Sequence, residues 1–212
     1  MVAEVLILHG WQNHRPEGHW QRWLAGELEA SGAVVRYPQL PEPDRPVLDD
    51  WLHALDEELA GTHPASLTVV AHSLGCLLWL AHAARRAEAA AAADALDSAT
   101  AADAGTAAAI VPLARRVVLV APPAPDVIRG IPEISAFAPA LGDRVLRAAL
   151  AASTSERATI VAGDADPYCP DGAEQTFAIP LNAAFVEIQG GGHLTMDDGF
   201  GPFPLVRDLV TR

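Results

Sequence analysis

Ser73 stands in Ala71-His72-Ser73-Leu74-Gly75-Cys76, directly after the apolar run Leu67-Thr68-Val69-Val70. A strand that stops on a serine between small residues, and passes at once into a helix-forming stretch, lifts the hydroxyl above a sheet edge. Alanine fills the first slot of Ala71-x-Ser73-x-Gly75 where glycine is usual; the slot requires only a residue small enough for strand and helix to approach. A serine hydroxyl is a weak nucleophile near neutral pH and needs a base within hydrogen-bond reach. His193, after Gly190-Gly191-Gly192, is the candidate base. Asp166, in Gly163-Asp164-Ala165-Asp166-Pro167, is the candidate carboxylate that would hold the imidazole in one tautomer. Its neighbour Asp164 reads as a turn residue, because Gly163-x-x-Asp166 carries the second acid one turn past the strand end. Acyl transfer also needs preorganised N–H donors for the developing oxyanion. The backbone N–H of Leu74, next to the serine, is one candidate. The N–H of Trp11, in His9-Gly10-Trp11-Gln12, is the other, with Gly10 supplying the backbone freedom. Without Ser73 downstream, His9-Gly10 would read as an ordinary strand-to-helix turn with a hydrogen-bonded core histidine.

These residues share one placement. Strands are expected over residues 4–8, 33–37, 67–72, 117–121, 158–162 and 184–189, and Ser73, Asp166 and His193 each fall just beyond a carboxyl end. The chain order Ser, Asp, His is that of one hydrolase lineage and not of others. Between the strands, Trp20, Trp23, Leu24 and Leu28 recur at helical spacing, as do Leu48, Trp51, Leu52, Leu55 and Leu59. Trp20 and Trp23 read as core packing rather than an aromatic binding box. Alternating β and α elements imply an α/β fold: a mainly parallel sheet with right-handed crossovers and helices on both faces.

The segments His9-Gly10-Trp11-Gln12, His19-Trp20, Tyr37-Pro38, Ala71 to Cys76 and Val120-Ala121-Pro122-Pro123 have a family likeness, continued in Asp166-Pro167-Tyr168-Cys169, Gly192-His193 and Gly199 to Pro204. Together they resemble the small serine hydrolases of the YdeN / retinoblastoma-binding protein 9 group over nearly the whole chain. The resemblance implies a minimal α/β-hydrolase fold of six strands in the order 2-1-3-4-5-6, without the leading antiparallel strands of larger hydrolases. It also places the triad acid on Asp166, through the Asp-Pro-Tyr-Cys turn. Leu194-Thr195, Asp198 and Phe203 depart from the group's pattern; they leave the triad intact and bear on the substrate pocket.

The net charge of −13 and pI near 4.8 argue against nucleic acid or an anionic membrane surface as partner. No secretion signal is visible and no sufficiently long apolar run occurs, so a soluble, cytoplasmic protein is expected. The two cysteines, Cys76 and Cys169, indicate no disulfide framework, and Cys76 reads as a small buried thiol. His9, His14 and His19 have no second cluster to complete a metal site. No metal or cofactor is expected. One domain over residues 1–212 is anticipated, with an Ala-rich insertion near 81–109 and a small partial lid near 122–157. The insertion reads as an exposed extension of the helix after Ser73 plus a loop around Gly105-Thr106. In the lid, Ile128, Ile131, Ile134, Phe137 and Leu141 could line an acyl pocket or plug the sheet edge. The expected activity is carboxylesterase-like hydrolysis of a small-molecule ester through an acyl-enzyme. An amide or peptide bond, as for a small aminopeptidase, uses the same triad and stays open. So does a non-catalytic binding module on the same fold.

Overall fold

The computed structural model describes residues 3–100, 111–140 and 142–212. Its strands are β1 (Glu4–Leu8), β2 (Val34–Arg36), β3 (Leu67–His72), β4 (Arg116–Val120), β5 (Thr159–Gly163) and β6 (Ala184–Ile188). They form one sheet in the order β2-β1-β3-β4-β5-β6, and every neighbouring pair is parallel. The helices are α1 (Trp20–Ala30), α2 (Leu48–Ala60), α3 (Leu74–Thr100), α4 (Pro125–Arg129), α5 (Asp143–Ser153), α6 (Ile179–Leu181) and α7 (Pro204–Thr211). This is the α/β-hydrolase sheet that the sequence leads one to expect.

The strand sequences explain why the sheet is covered on both sides. Side chains alternate across a strand, so a strand buried on both faces must be apolar throughout. All six residues of β3 are buried. Leu6, Leu8, Val69, Ala71 and Leu119 join one core with Trp51 and Leu55 of α2, Leu77 of α3 and Leu150 of α5. Val5, Ile7, Val70, Val118 and Val120 join the other, with Trp20, Leu24 and Leu28 of α1 and Val206 and Val210 of α7. Edge strand β2 is shorter than expected and none of its residues is buried.

α3 runs unbroken from the serine into the Ala-rich stretch. His82, Ala83 and Ala84 are buried, and continuous exposure of the kind expected near residue 81 does not begin there. Small side chains let α5 pack against this turn, where Trp79 Nε1 donates to Ser153 Oγ at 3.3 Å. Gly105-Thr106 lies outside the described residues. In the segment expected as a lid, Ile128 and Ile134 face the cleft described below, whereas Phe137 packs edge-on against Trp51 at 5.1 Å. Leu141 is outside the described residues, and α5 belongs to the core.

Trp51 is the anchor on this face. It is fully buried, meets His9 edge-on at 5.6 Å, and donates from Nε1 to Pro41 O at 2.7 Å. Trp51→Ala should therefore destabilise the fold by about 3–5 kcal/mol, the usual cost of an aromatic cavity. Urea unfolding would check this; a loss below about 1 kcal/mol would mean that the site collapses around the deletion.

Candidate active site

The sheet brings the carboxyl ends of β1, β3, β5 and β6 to one edge, and three segments meet there. The first is the turn after β3. Ser73 has φ +54°, a left-handed backbone that is uncommon for a residue with a side chain. Its N–H donates to Val120 O at 3.0 Å, which holds the turn against β4. The second is the turn after β1, which lies directly over the serine. A Cβ placed on Gly10 would sit 2.7 Å from Ser73 Cβ, so only glycine permits this approach.

The third segment is the loop after β6. It lies across the end of β5, where a Cβ on Gly163 would fall 2.3 Å from Gly192 O. From there it carries His193 over the sheet to Ser73. His193 Nε2 is 2.8 Å from Ser73 Oγ, and His193 Nδ1 lies 2.8 and 3.0 Å from the two carboxylate oxygens of Asp166. Asp166 is buried, and its Oδ1 also accepts the Tyr168 N–H at 2.8 Å. An acceptor-only carboxylate next to Nδ1 requires the proton on that nitrogen. Nε2 is then left as the acceptor for the serine hydroxyl. Asp164 is elsewhere: its Oδ1 accepts the Gly190 N–H at 2.7 Å and ties down the start of the loop. The structure thus brings Ser73, Asp166 and His193 together and separates Asp164 from them.

The two candidate N–H donors flank the serine. Leu74 opens α3, so its N–H has no acceptor within the helix. Trp11 N–H has no acceptor among the described residues, and both residues line the cleft. The orientation of the Trp11 amide has a visible cause. His9 Nδ1–H donates to Gly10 O at 2.8 Å, and that carbonyl belongs to the same peptide unit as the Trp11 N–H. In a trans peptide, holding the carbonyl one way points the N–H the other way. His9 Nε2 in turn accepts the Leu40 N–H at 2.9 Å, which completes the definition of its tautomer.

Two contacts were not anticipated from the sequence. His72 Nε2–H donates to His193 O at 3.0 Å, and Trp20 Nε1–H donates to Leu194 O at 3.0 Å. The loop bearing His193 is therefore held from β3 and from α1, at two successive carbonyls. A histidine at the end of a fully buried strand was the available signal, since a buried polar ring needs a partner. Trp20 does pack in the core as expected, but its indole N–H has this second task.

The cleft between these segments has a volume of about 660 Å³. His19 and His72 line it, and burial keeps both of these histidines neutral, as it does His9. Burial is the main cause that lowers His9 and His19 from 6.5 to about 4, and it depresses His72 well below 6.5. Burial raises the Cys76 thiol, in keeping with an inert packing residue, and both cysteines are free.

The serine hydrolase family model matches residues 5–112 and 96–212, and the chain belongs to that family. It is a hydrolase. YdeN of Bacillus subtilis (strain 168) is 27% identical over 214 residues, spanning 100% of this chain and 96% of that protein. The crystal structure of the ydeN gene product matches with a TM-score of 0.75 at 25% identity, covering 99% of this chain and 97% of that one. Est1E from Butyrivibrio proteoclasticus shares the fold at a TM-score of 0.63 and 17% identity, over 99% of this chain and 85% of that one. No helix among the described residues is long and apolar enough to cross a membrane.

The neutral histidines predict a pH dependence of stability. Their pKa values are lower in the folded chain than the 6.5 of the free side chain, so the unfolded chain binds more protons between about pH 4 and 6.5. Stability is then complete above pH 6.5 and is lost as pH falls, by up to roughly 3 kcal/mol for each of His9 and His19. Urea titrations at pH 7, 6 and 5 should show the decline above the range where carboxylates titrate. A stability that is flat or rises on acidification would contradict neutral burial.

Proposed function

We propose that the protein is a carboxylesterase-like serine hydrolase that cleaves a small ester through an acyl-enzyme. The observation that carries this reading is the continuous path Ser73 Oγ–His193 Nε2, His193 Nδ1–Asp166, with both links within hydrogen-bond distance. Ser73 Oγ attacks the ester carbonyl while His193 Nε2 takes its proton. The carbonyl electron pair moves to oxygen, and the N–H groups of Trp11 and Leu74 stabilise that oxyanion. The tetrahedral adduct collapses, the C–O bond to the alcohol breaks, and His193 returns the proton to the departing alkoxide. A water then repeats the sequence on the acyl-serine and releases the acid. Asp166 stabilises the imidazolium in both halves without taking the proton. Neither a metal nor a redox cofactor is called on.

Labelling with a fluorophosphonate probe tests the reading. Stoichiometric labelling that disappears in Ser73→Ala is expected, whereas no labelling of folded protein would make the fold a binding module. Ser73→Ala and His193→Ala should each abolish turnover of a short acyl ester, and the double variant should be little worse, because triad members act as a unit.

The two aspartates give a sharper comparison. Asp166→Asn should lower kcat by about three to four powers of ten through the wrong histidine tautomer. Asp164→Asn should be nearly silent, since an amide oxygen still accepts the Gly190 N–H. The reverse ranking would move the acid to Asp164.

His72 adds a positioning test. His72→Leu removes the donor to His193 O and should lower kcat by roughly tenfold or more with little change in KM. His72→Gln, which keeps a donor, should recover part of the loss. Equal activity in all three proteins would leave the bond without a role in holding His193.

A further inference from the structure

The geometry points to an ester whose alcohol portion carries a second hydroxyl, bound through the Nε2–H of His19 in the wall of the cleft. This substrate class rests on the serine hydrolase reading above. His19 is 5% exposed and lines the cleft. Its Nδ1 is already committed: as the residue capping α1 it accepts the Gln21 N–H at 3.2 Å. An imidazole whose Nδ1 accepts carries its proton on Nε2 when neutral, and burial with the nearby His9 keeps it neutral. Nε2 has no hydrogen-bond partner among the described residues. The cleft is therefore offered a nearly buried, uncharged N–H donor of fixed tautomer. Such a donor takes an oxygen acceptor and loses free energy when the occupant supplies none, and the Asp197 and Asp198 carboxylates in the same cleft disfavour an anionic one.

The position of His19 assigns the acceptor to one side of the ester. His193 must pass a proton to the departing alkoxide, so the alcohol portion lies along the loop that carries His193. That loop is packed on the start of α1, through Trp20 on Leu194 O and Met196 over Gly18. His19 belongs to the same wall, with its ring 5.3 Å from His72, which is itself 5.3 Å from the ring of His193. Thr195 and Asp197 continue the wall in polar character. Beyond β3, on the β4 side, Ile128 and Ile134 supply an apolar surface suited to the acyl chain. A polar alcohol portion with an apolar acid, as in a monoester of a diol or triol, matches this division.

The test separates binding from turnover. In Ser73→Ala protein, n-propyl butyrate and 2,3-dihydroxypropyl butyrate are titrated and followed by amide chemical shifts. The dihydroxy ester should bind at least tenfold more tightly. Adding His19→Asn should bring the two affinities to within about twofold. Asparagine keeps an oxygen to cap the Gln21 N–H, so an unchanged urea midpoint at pH 8 certifies the fold. No preference for the dihydroxy ester, including the case in which neither ester binds, overturns the proposal. A preference that survives His19→Asn overturns it as well. Hydrolysis of the esters by the protein with Ser73 intact judges the serine hydrolase reading separately: a His19-dependent binding preference without turnover would retain the subsite and reject the chemistry.

Discussion

Backbone must touch backbone at the carboxyl edge of this sheet, and everything at the site follows from that requirement. Ser73, Asp166 and His193 come from turns after three different strands, and their side chains are too short to bridge turns held apart by other side chains. Gly10 lets the first turn rest on Ser73, and Gly163 lets the His193 loop cross the end of β5. The distances of 2.8 Å on either side of the imidazole are a product of those approaches as much as of the three functional groups. The strained φ of Ser73 fits the same account, being maintained by the bond to Val120 O and by the parallel pairing of β3 and β4 around it.

A buried polar layer of histidines then holds these turns in register. His9 orients a peptide, His72 grips a carbonyl, and His19 caps a helix. His72 and His19 each use one nitrogen with a defined partner, and His9 uses both. A core built only of leucine and valine could fill the same volume but could not fix the rotation of a peptide plane. The layer also has an internal cost, since His72 Nδ1 is buried without a partner among the described residues.

Much of this was legible in the chain itself, for local reasons. The strands are short apolar runs ending in glycine, serine or proline, so their number and positions emerge from pattern alone, to within a residue or two. The serine turn was legible because its chemistry and its backbone demand the same small neighbours. Sheet order came from resemblance, since nothing in a strand's composition names its neighbour. The ties from His72 and Trp20 to successive carbonyls were not legible. They join residues 121 and 174 positions apart, and only the folded path of the last loop makes them neighbours. Burial of His82–Ala84 was missed because alanine is equally at home in water and against another helix.

The suppressed basicity of His19 and His72 has a consequence for the field around the third ring. An imidazolium formed at His193 would meet no second cation near neutral pH from the His72 ring 5.3 Å away, because burial holds the pKa of that ring well below 6.5. Such a charge would be answered by the Asp166 carboxylate at 2.8 Å, with Asp197 and Asp198 lining the same cleft. Neutral His19 and His72 rings thus leave the sign of the field at His193 to the carboxylates around it.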